Sequence, residues 1–310
     1  MRALVIPRTG PPEVLEVQER PDPEPGEGQV LVRVKAAGIN FADLMARQGL
    51  YPDAPKLPAV VGYEFAGVVE ALGAGIDDYA PGDRVLGGCR FGGYAELVAT
   101  DAANLVPLPA DWSFEEGAAL PVNYSTAYAG IVRYGALHEG ERVLIHAAAG
   151  GVGIAATQIA KLVGAGEIYG TASPAKHDAV RGFGVDHPID YTSKDFAKEV
   201  RRIAGHEQPL DLVMDAVGGN SLRKGYGLLR AGGRLVAYGA SSATSGDKRD
   251  LRALAKIAVM TPFFHPLKLM SESKAVIGLN MLTLWDDTGS LDDYIQPLRA
   301  WIDDQRIRPV

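Results

Sequence analysis

The spacing of hydrophobic residues divides this chain near Leu120. Before that point the apolar runs are short and interrupted by glycine and proline. Val30-Leu31-Val32-Arg33-Val34-Lys35 alternates apolar and polar side chains imperfectly, as a half-buried strand does. Pro81-Gly82-Asp83 is turn chemistry ahead of another apolar run, Arg84-Val85-Leu86. This half predicts a β-rich domain with no dinucleotide loop. From Glu141 onward, apolar runs alternate with helical segments. Strands are predicted at Arg142–His146, Glu167–Ala172, Leu210–Asp215, Arg234–Tyr238 and Ala275–Leu282, with a short one at His187-Pro188-Ile189. Helices are predicted at Val152–Leu162, Ala175–Phe183, Phe196–Ile203 and Ser221–Leu229. Such alternation makes a parallel sheet covered by helices on both faces. Leu251–Met270 mixes apolar residues with Arg252, Lys256, His265 and Lys268 and breaks at Pro262 and Pro266. It reads as a helix pair covering a cleft or a subunit contact, with a membrane-surface helix as the weaker reading.

Composition narrows the class. With 310 residues, 47% hydrophobic and 22% charged, the chain is an ordinary globular protein long enough for more than one domain. Its net charge of -7 argues against nucleic acid or an anionic membrane as the main partner, while leaving room for a local basic pocket. The single cysteine, Cys89, rules out an intrachain disulfide and a thiolate zinc cage. No segment approaches the ~20 uninterrupted apolar residues of a spanning helix. Met1–Pro7 is too short an apolar run for a signal peptide, so Asn123-Tyr124-Ser125 reads as a chance sequon and the expected location is cytoplasmic.

The most informative stretch is Val143-Leu144-Ile145-His146-Ala147-Ala148-Ala149-Gly150-Gly151-Val152-Gly153. An apolar strand runs into a small-residue turn that opens a helix. The G-x-G-x-x-G spacing falls on Ala148, Gly150 and Gly153. Gly150 lets the backbone approach a pyrophosphate, Gly153 lets the helix pack on its strand, and the helix N-terminus offers N–H groups and partial positive charge. Ala149, Gly150, Gly151, Val152 and Gly153 are therefore the expected pyrophosphate loop. About 20 residues further on, NAD sites place an acid on the ribose 2′-hydroxyl. Here the strand ends Ala172-Ser173-Pro174-Ala175-Lys176 with no acid at its tip. Ser173 and Lys176 suit a 2′-phosphate, which favours NADPH over NADH. Val217-Gly218 and Tyr238-Gly239-Ala240 follow two further parallel strands, where loops line a nucleotide crevice.

These residues resemble the medium-chain dehydrogenase/reductase superfamily, specifically its zinc-free quinone oxidoreductase branch. The resemblance rests on Gly140–Leu144 running through Ala148–Gly153 to Gln158 and Lys161, and on Gly62-Tyr63-Glu64-Phe65-Ala66-Gly67. Phe41–Tyr51 and Gly170–Tyr191 look most like VAT-1-like members. It implies an α/β chain: a β-rich GroES-like catalytic domain at 1–122 with 295–310, and a Rossmann doubly wound parallel sheet at 123–294. It also implies a homodimer. Zinc-dependent relatives carry ligands at the positions of Asn40, Tyr63 and Val122, and those three residues cannot replace Cys or His, so no metal is expected. Relatives run beyond the equivalent of Val310 for roughly another helix and strand, which implies a truncated chain.

By family position Asn40, Tyr51 and Tyr63 are the expected catalytic, substrate-positioning groups. Asn40 is alternatively a nicotinamide-ribose contact. Thr126 lies where relatives contact the nicotinamide, with a helix N-cap as its other reading. Tyr191 matches a position beside the 2′-phosphate or adenine, and Glu64 is expected in a structural salt bridge. The implied reaction is NADPH-dependent reduction of a quinone or α,β-unsaturated carbonyl, whose anionic product spreads its own charge. Two alternatives remain: an enoyl-thioester reductase, suggested by Asn40-Phe41-x-Asp43, and a non-catalytic NADPH-binding protein that contacts lipid or a partner.

Overall fold

A computed structural model describes residues 1–243, 255 and 259–310. Its described residues form two compact units, one from 1–125 with 281–310 and the other from the residues between. Among the described residues no helix is long and apolar enough to cross a membrane.

The first unit holds eight strands: β1 (Arg2–Ile6), β2 (Glu16–Glu19), β3 (Gln29–Ala37), β4 (Ala59–Val60), β5 (Glu64–Leu72), β6 (Arg84–Gly88), β7 (Leu97–Asp101) and β8 (Leu105–Pro107). They form a five-stranded antiparallel sheet in the order β7-β3-β5-β6-β8 and a three-stranded one in the order β2-β1-β4. Val30 and Val32 join Phe65, Val85 and Val98 in the core, while Arg33 and Lys35 stay exposed. The alternation is imperfect because this is a central strand with cover on its second face. Of the helices α1 (Phe41–Gln48), α2 (Phe114–Ala118) and α3 (Pro121–Tyr128), α2 lies against β3, β5 and β6, and Leu31 is buried too.

The chain rejoins this unit at Met281, not at 295 as expected. Packing supplies the reason: Trp285 and Leu291 approach Gly88 so closely that a Cβ there would collide with Leu291 at 2.7 Å and press on Trp285 at 3.1 Å. Asn104, almost fully buried, accepts the Leu291 N–H at 2.8 Å through Oδ1 and donates to Thr100 at 3.3 Å. Asn104→Ala strands that N–H, so a loss of about 1–3 kcal/mol is expected in denaturant unfolding. An unchanged midpoint and slope would show that water replaces the bond.

The second unit is a six-stranded parallel sheet of β9 (Arg142–Ile145), β10 (Glu167–Ala172), β11 (His187–Asp190), β12 (Leu210–Asp215), β13 (Leu229–Ala237) and β14 (Ala275–Gly278). Its order, β11-β10-β9-β12-β13-β14, is that of a doubly wound nucleotide fold. Helices α4 (Gly151–Leu162), α5 (His177–Phe183), α6 (Phe196–Ala204) and α7 (Asn220–Tyr226) alternate with the strands. All of β12 is buried, as burial on both faces requires.

Three departures from expectation go beyond a shift of one or two residues. α7 stops at Tyr226 and β13 begins at Leu229, because Leu229 pairs with Leu210 before a register shift carries Arg234 opposite Leu212. β14 ends at Gly278, and Met281 opens a helix instead of continuing a strand. Of Leu251–Met270, residues 251–254 and 256–258 lie outside the described residues. Pro266 opens a helix, Pro266–Glu272, where it was expected to break one, since proline lacks only an N–H that the first turn leaves unused.

Candidate active site

In the first unit α1 begins at the end of β3. Its first turn is anchored by Asp43, whose Oδ2 accepts the Asn40 N–H at 2.9 Å and the Tyr94 hydroxyl at 2.8 Å. Asp43 Oδ1 accepts the Gly62 N–H at 3.1 Å, which ties α1 to the segment entering β5. Burial raises the Asp43 pKa, against the pull of those bonds. Asn40 is thus held by its backbone, and its side chain donates Nδ2–H to Glu64 Oε1 at 2.8 Å.

Glu64 is not in the expected salt bridge. It is buried, and its second oxygen accepts the Val122 N–H at 2.8 Å. With two neutral donors and no cation, desolvation dominates and pushes its pKa up to about 7. A Cβ on Gly38 would come within 2.3 Å of the same carboxyl, so the backbone crosses Glu64 at a distance only glycine permits.

Tyr63 is buried beside this group, its ring 5.3 Å from that of Phe91. Its hydroxyl is buried and has no hydrogen-bond partner among the described residues. Desolvation, with Tyr51 and Asp43 adding, raises the phenol pKa far above its ordinary value, so it stays a neutral donor. Tyr51 is half-buried and its pKa is pushed up to about 12, again mainly by burial. Arg90, over the Phe91 ring at 5.0 Å, is paired with Asp286. The sequence reading missed both; only folding brings 90 and 286 together.

The three positions at which the resemblance puts zinc ligands in other members carry no Cys or His. Asn40 turns its amide N–H toward Glu64, Tyr63 is a neutral phenol, and Val122 contributes a backbone donor. Cys89 lies 3.6 Å from the Gly62 carbonyl, with burial raising its thiol pKa. Among the described residues no three His, Cys, Asp or Glu side chains are grouped to hold an ion.

In the second unit the loop from Ala147 to Gly150 leaves β9 and enters α4 with Gly150 as N-cap. Gly150 and Gly151 are exposed, and a Cβ on Gly150 would meet only the Ala147 carbonyl, at 3.3 Å. Gly153 is buried and packs directly on the backbone of Ala147 and Ala148. Ala149 and Val152 are half-buried within this turn. The first-turn N–H groups of a helix have no intrahelical acceptor, so this backbone fits a pyrophosphate.

Ser173 begins a single 3-10 turn, Pro174–Lys176, without capping it by its side chain. Lys176 is exposed. Tyr191 is exposed. Strand pairing adds a residue the sequence reading missed: Asp190 of β11 stands opposite Ala172, at the tip of β10. Its carboxylate is occupied by Thr192 N and Oγ1 at 2.9 and 2.6 Å and by the Ser193 hydroxyl at 2.5 Å. Those hydroxyls hold its pKa down to about 2. Thr126 is buried inside α3, not at its N-cap.

Val217 and Gly218 turn back so that both N–H groups reach Asp215 Oδ1, at 2.7 and 2.8 Å. Tyr238, half-buried, and exposed Gly239 follow β13. Gly239 crosses so near Ala216 that a Cβ would lie 2.8 Å from its carbonyl oxygen. Asp215, His146, Thr171 and Ser221, which the sequence reading did not select, form one buried hydrogen-bonded group. The available signal was a short apolar run followed by a polar residue, Val143-Leu144-Ile145 before His146 and Leu212-Val213-Met214 before Asp215.

Residues 26–110 match the alcohol dehydrogenase GroES-like domain and residues 151–291 the zinc-binding dehydrogenase domain. The chain is 40% identical to the synaptic vesicle membrane protein VAT-1 homolog of Homo sapiens, covering 100% of this chain and 79% of that protein. It is 41% identical to the Danio rerio protein of that name, covering 99% of this chain and 63% of that one. Among solved structures, Escherichia coli quinone oxidoreductase complexed with NADPH superposes with a TM-score of 0.82 at 29% identity, over 99% of this chain and 89% of that one. The CurK enoyl reductase gives 0.85 at 26% identity, over 100% and 90%. With a GroES-like sheet, a doubly wound parallel sheet and these relatives, the chain belongs to the medium-chain dehydrogenase/reductase superfamily, among its VAT-1-like members.

Proposed function

We propose that this oxidoreductase uses NADPH, without a metal, to reduce a quinone or α,β-unsaturated carbonyl. The observation that carries the reading is the Tyr63 hydroxyl: a buried, neutral donor without an acceptor, at a position where zinc-dependent relatives hold their metal. A buried unpaired hydroxyl costs free energy, and an acceptor oxygen that gains negative charge in the transition state supplies its missing partner. NADPH, when bound, supplies the hydride. The chain's own residues do the rest. Gly150, Gly151 and the first turn of α4 receive the pyrophosphate, Ser173 and Lys176 the 2′-phosphate, and Thr126, Tyr191, Val217, Tyr238 and Gly239 complete the nucleotide site. Asn40 and Tyr51 position the acceptor with Tyr63. A conjugated acceptor suits this set, because delocalisation relieves the need for a Lewis acid.

Tyr63→Phe separates this role from packing. The variant is expected to lose roughly 10–100-fold in kcat/KM. Its thermal stability holds or rises, since an unsatisfied hydroxyl has left the core. Full activity in this variant would remove Tyr63 from the mechanism. The broader test is NADPH consumption over quinones, enones and enoyl-thioesters, with metal content measured on the same sample. Stoichiometric zinc, or NADH used as well as NADPH, overturns the reading. Preference for crotonyl-CoA over quinones assigns the chain to enoyl-thioester reduction instead.

A further inference from the structure

His146 directly follows β9 and Asp215 ends β12, and these are the adjacent strands at which the sheet order reverses. In doubly wound sheets this switch point is where nucleotides bind. Both residues are buried, and so are Thr171 and Ser221. The Ala147 N–H donates to Thr171 Oγ1 at 3.1 Å, and Thr171 Oγ1 lies 3.1 Å from His146 Nδ1. His146 Nε2 lies 3.3 Å from Ser221 Oγ, and the Ser221 hydroxyl donates to Asp215 Oδ2 at 2.6 Å. Asp215 Oδ1 receives the N–H groups of Val217 and Gly218.

Proton directions follow from the carboxylate, which only accepts. The Ser221 proton is committed to Asp215, so Ser221 Oγ must accept from His146 Nε2–H. Burial keeps the imidazole neutral by lowering its pKa, with Asp215 pulling the other way from 4.0 Å. Nδ1 is then bare and accepts the Thr171 proton, whose oxygen in turn accepts from Ala147. The imidazole edge against Phe196, 4.5 Å between ring centres, completes its seat.

We infer that His146, Ser221 and Asp215 are positioning residues. They form one directional relay that locks the loop opening at Ala147 to the loop at Val217-Gly218, and so set the affinity for the dinucleotide without touching it. This rests on the NADPH reading above. The two loops belong to different strands; the backbone ladder between β9 and β12 ends at the His146 N–H to Met214 carbonyl bond at 3.0 Å, and beyond it the relay joins them through side chains. Gly218 and Gly219 both have positive φ, 78° and 61°, so this turn has little intrinsic preference; besides Asp215 it is held through the Ala216 and Val217 carbonyls, which accept from Ser241 and Ser242.

The test is Ser221→Ala, with Ser221→Thr as the conservative variant. NADPH titration by fluorescence is expected to show roughly tenfold weaker binding in the alanine variant, falling on KM for NADPH more than on kcat, and recovery in the threonine variant. A residue that only holds the fold would lower the melting temperature and leave affinity unchanged, and that result overturns the proposal. In case the alanine variant does not fold, nitrogen-15 NMR of the wild-type imidazole decides independently. A proton on Nε2 with Nδ1 bare supports the relay, whereas the opposite tautomer breaks it. If the wild type binds no NADPH while the Nε2 tautomer is seen, the nucleotide reading has failed and the relay's purpose with it, though not its geometry.

Discussion

Replacing Gly153 with alanine is expected to abolish NADPH binding and to destabilise the second unit. A Cβ there would sit 2.3 Å from the Ala147 carbonyl oxygen, 2.6 Å from Ala148 Cα and 2.8 Å from its carbonyl carbon. All three are backbone atoms of the nucleotide loop, so relief requires α4 or the loop itself to move. Overpacking of this kind costs about 1–3 kcal/mol, whereas alanine gains at most ~1 kcal/mol over glycine in helix propensity. The steric term wins, and the displaced loop loses its approach to the pyrophosphate. Gly182 supplies the control: it lies in α5 with open space where a Cβ would go. Gly182→Ala is expected to raise the melting temperature slightly and leave NADPH titration unchanged. Equal binding by the two variants would sink the account of the loop.

The second large effect is at Glu64. Glu64→Ala leaves the Asn40 amide and the Val122 N–H without acceptors in a buried site and opens a cavity. Together these are expected to cost about 3 kcal/mol or more. Glu64→Gln is milder, because its oxygen still accepts from Val122 and its NH2 meets the Asn40 oxygen once that amide turns over. It also removes a titration. The carboxyl's pKa is raised from 4.5 to about 7 on folding, so the folded state holds the proton more tightly. Stability contributed by this group is present below about pH 4.5 and is lost as pH rises through about 7. Wild-type melting temperature is therefore expected to decline from pH 5 to 8 more steeply than that of Glu64→Gln. Parallel curves would mean that the carboxyl is ionised throughout.

Much of the second unit was legible in the sequence. Glu167–Ala172 and Leu210–Asp215 match the observed strands to the residue, because each is a short, mostly apolar stretch between helical segments. The glycine loop was legible for a similar reason: its requirements are local, an exposed Gly150 and a buried Gly153 within four residues of chain. The boundaries that moved depend on partners. β13 starts at Leu229 because Leu210 is beside it, and the return to the first unit starts at Met281 because Gly88 leaves room for Trp285 and Leu291.

The candidate site divides in the same way. That positions 40 and 63 carry asparagine and tyrosine, not the Cys and His expected of zinc-dependent relatives, was readable from the sequence alone. That Glu64 would hydrogen-bond Asn40 and Val122 in place of a cation was not readable, since 40, 64 and 122 meet only through β3, β5 and α3. Nor was Asp190, which reaches the tip of β10 by strand pairing, with hydroxyls already on its carboxylate.

By itself, then, the sequence determined most of the strands and helices and the glycine loop that joins β9 to α4, because periodicity and backbone freedom act over a few residues. Tertiary structure alone decided which polar groups found partners among the described residues: Tyr63 none, Glu64 two neutral donors, and His146 a relay to Asp215. Burial makes that pairing energetically decisive, and burial is a property of the folded chain, not of any position along it.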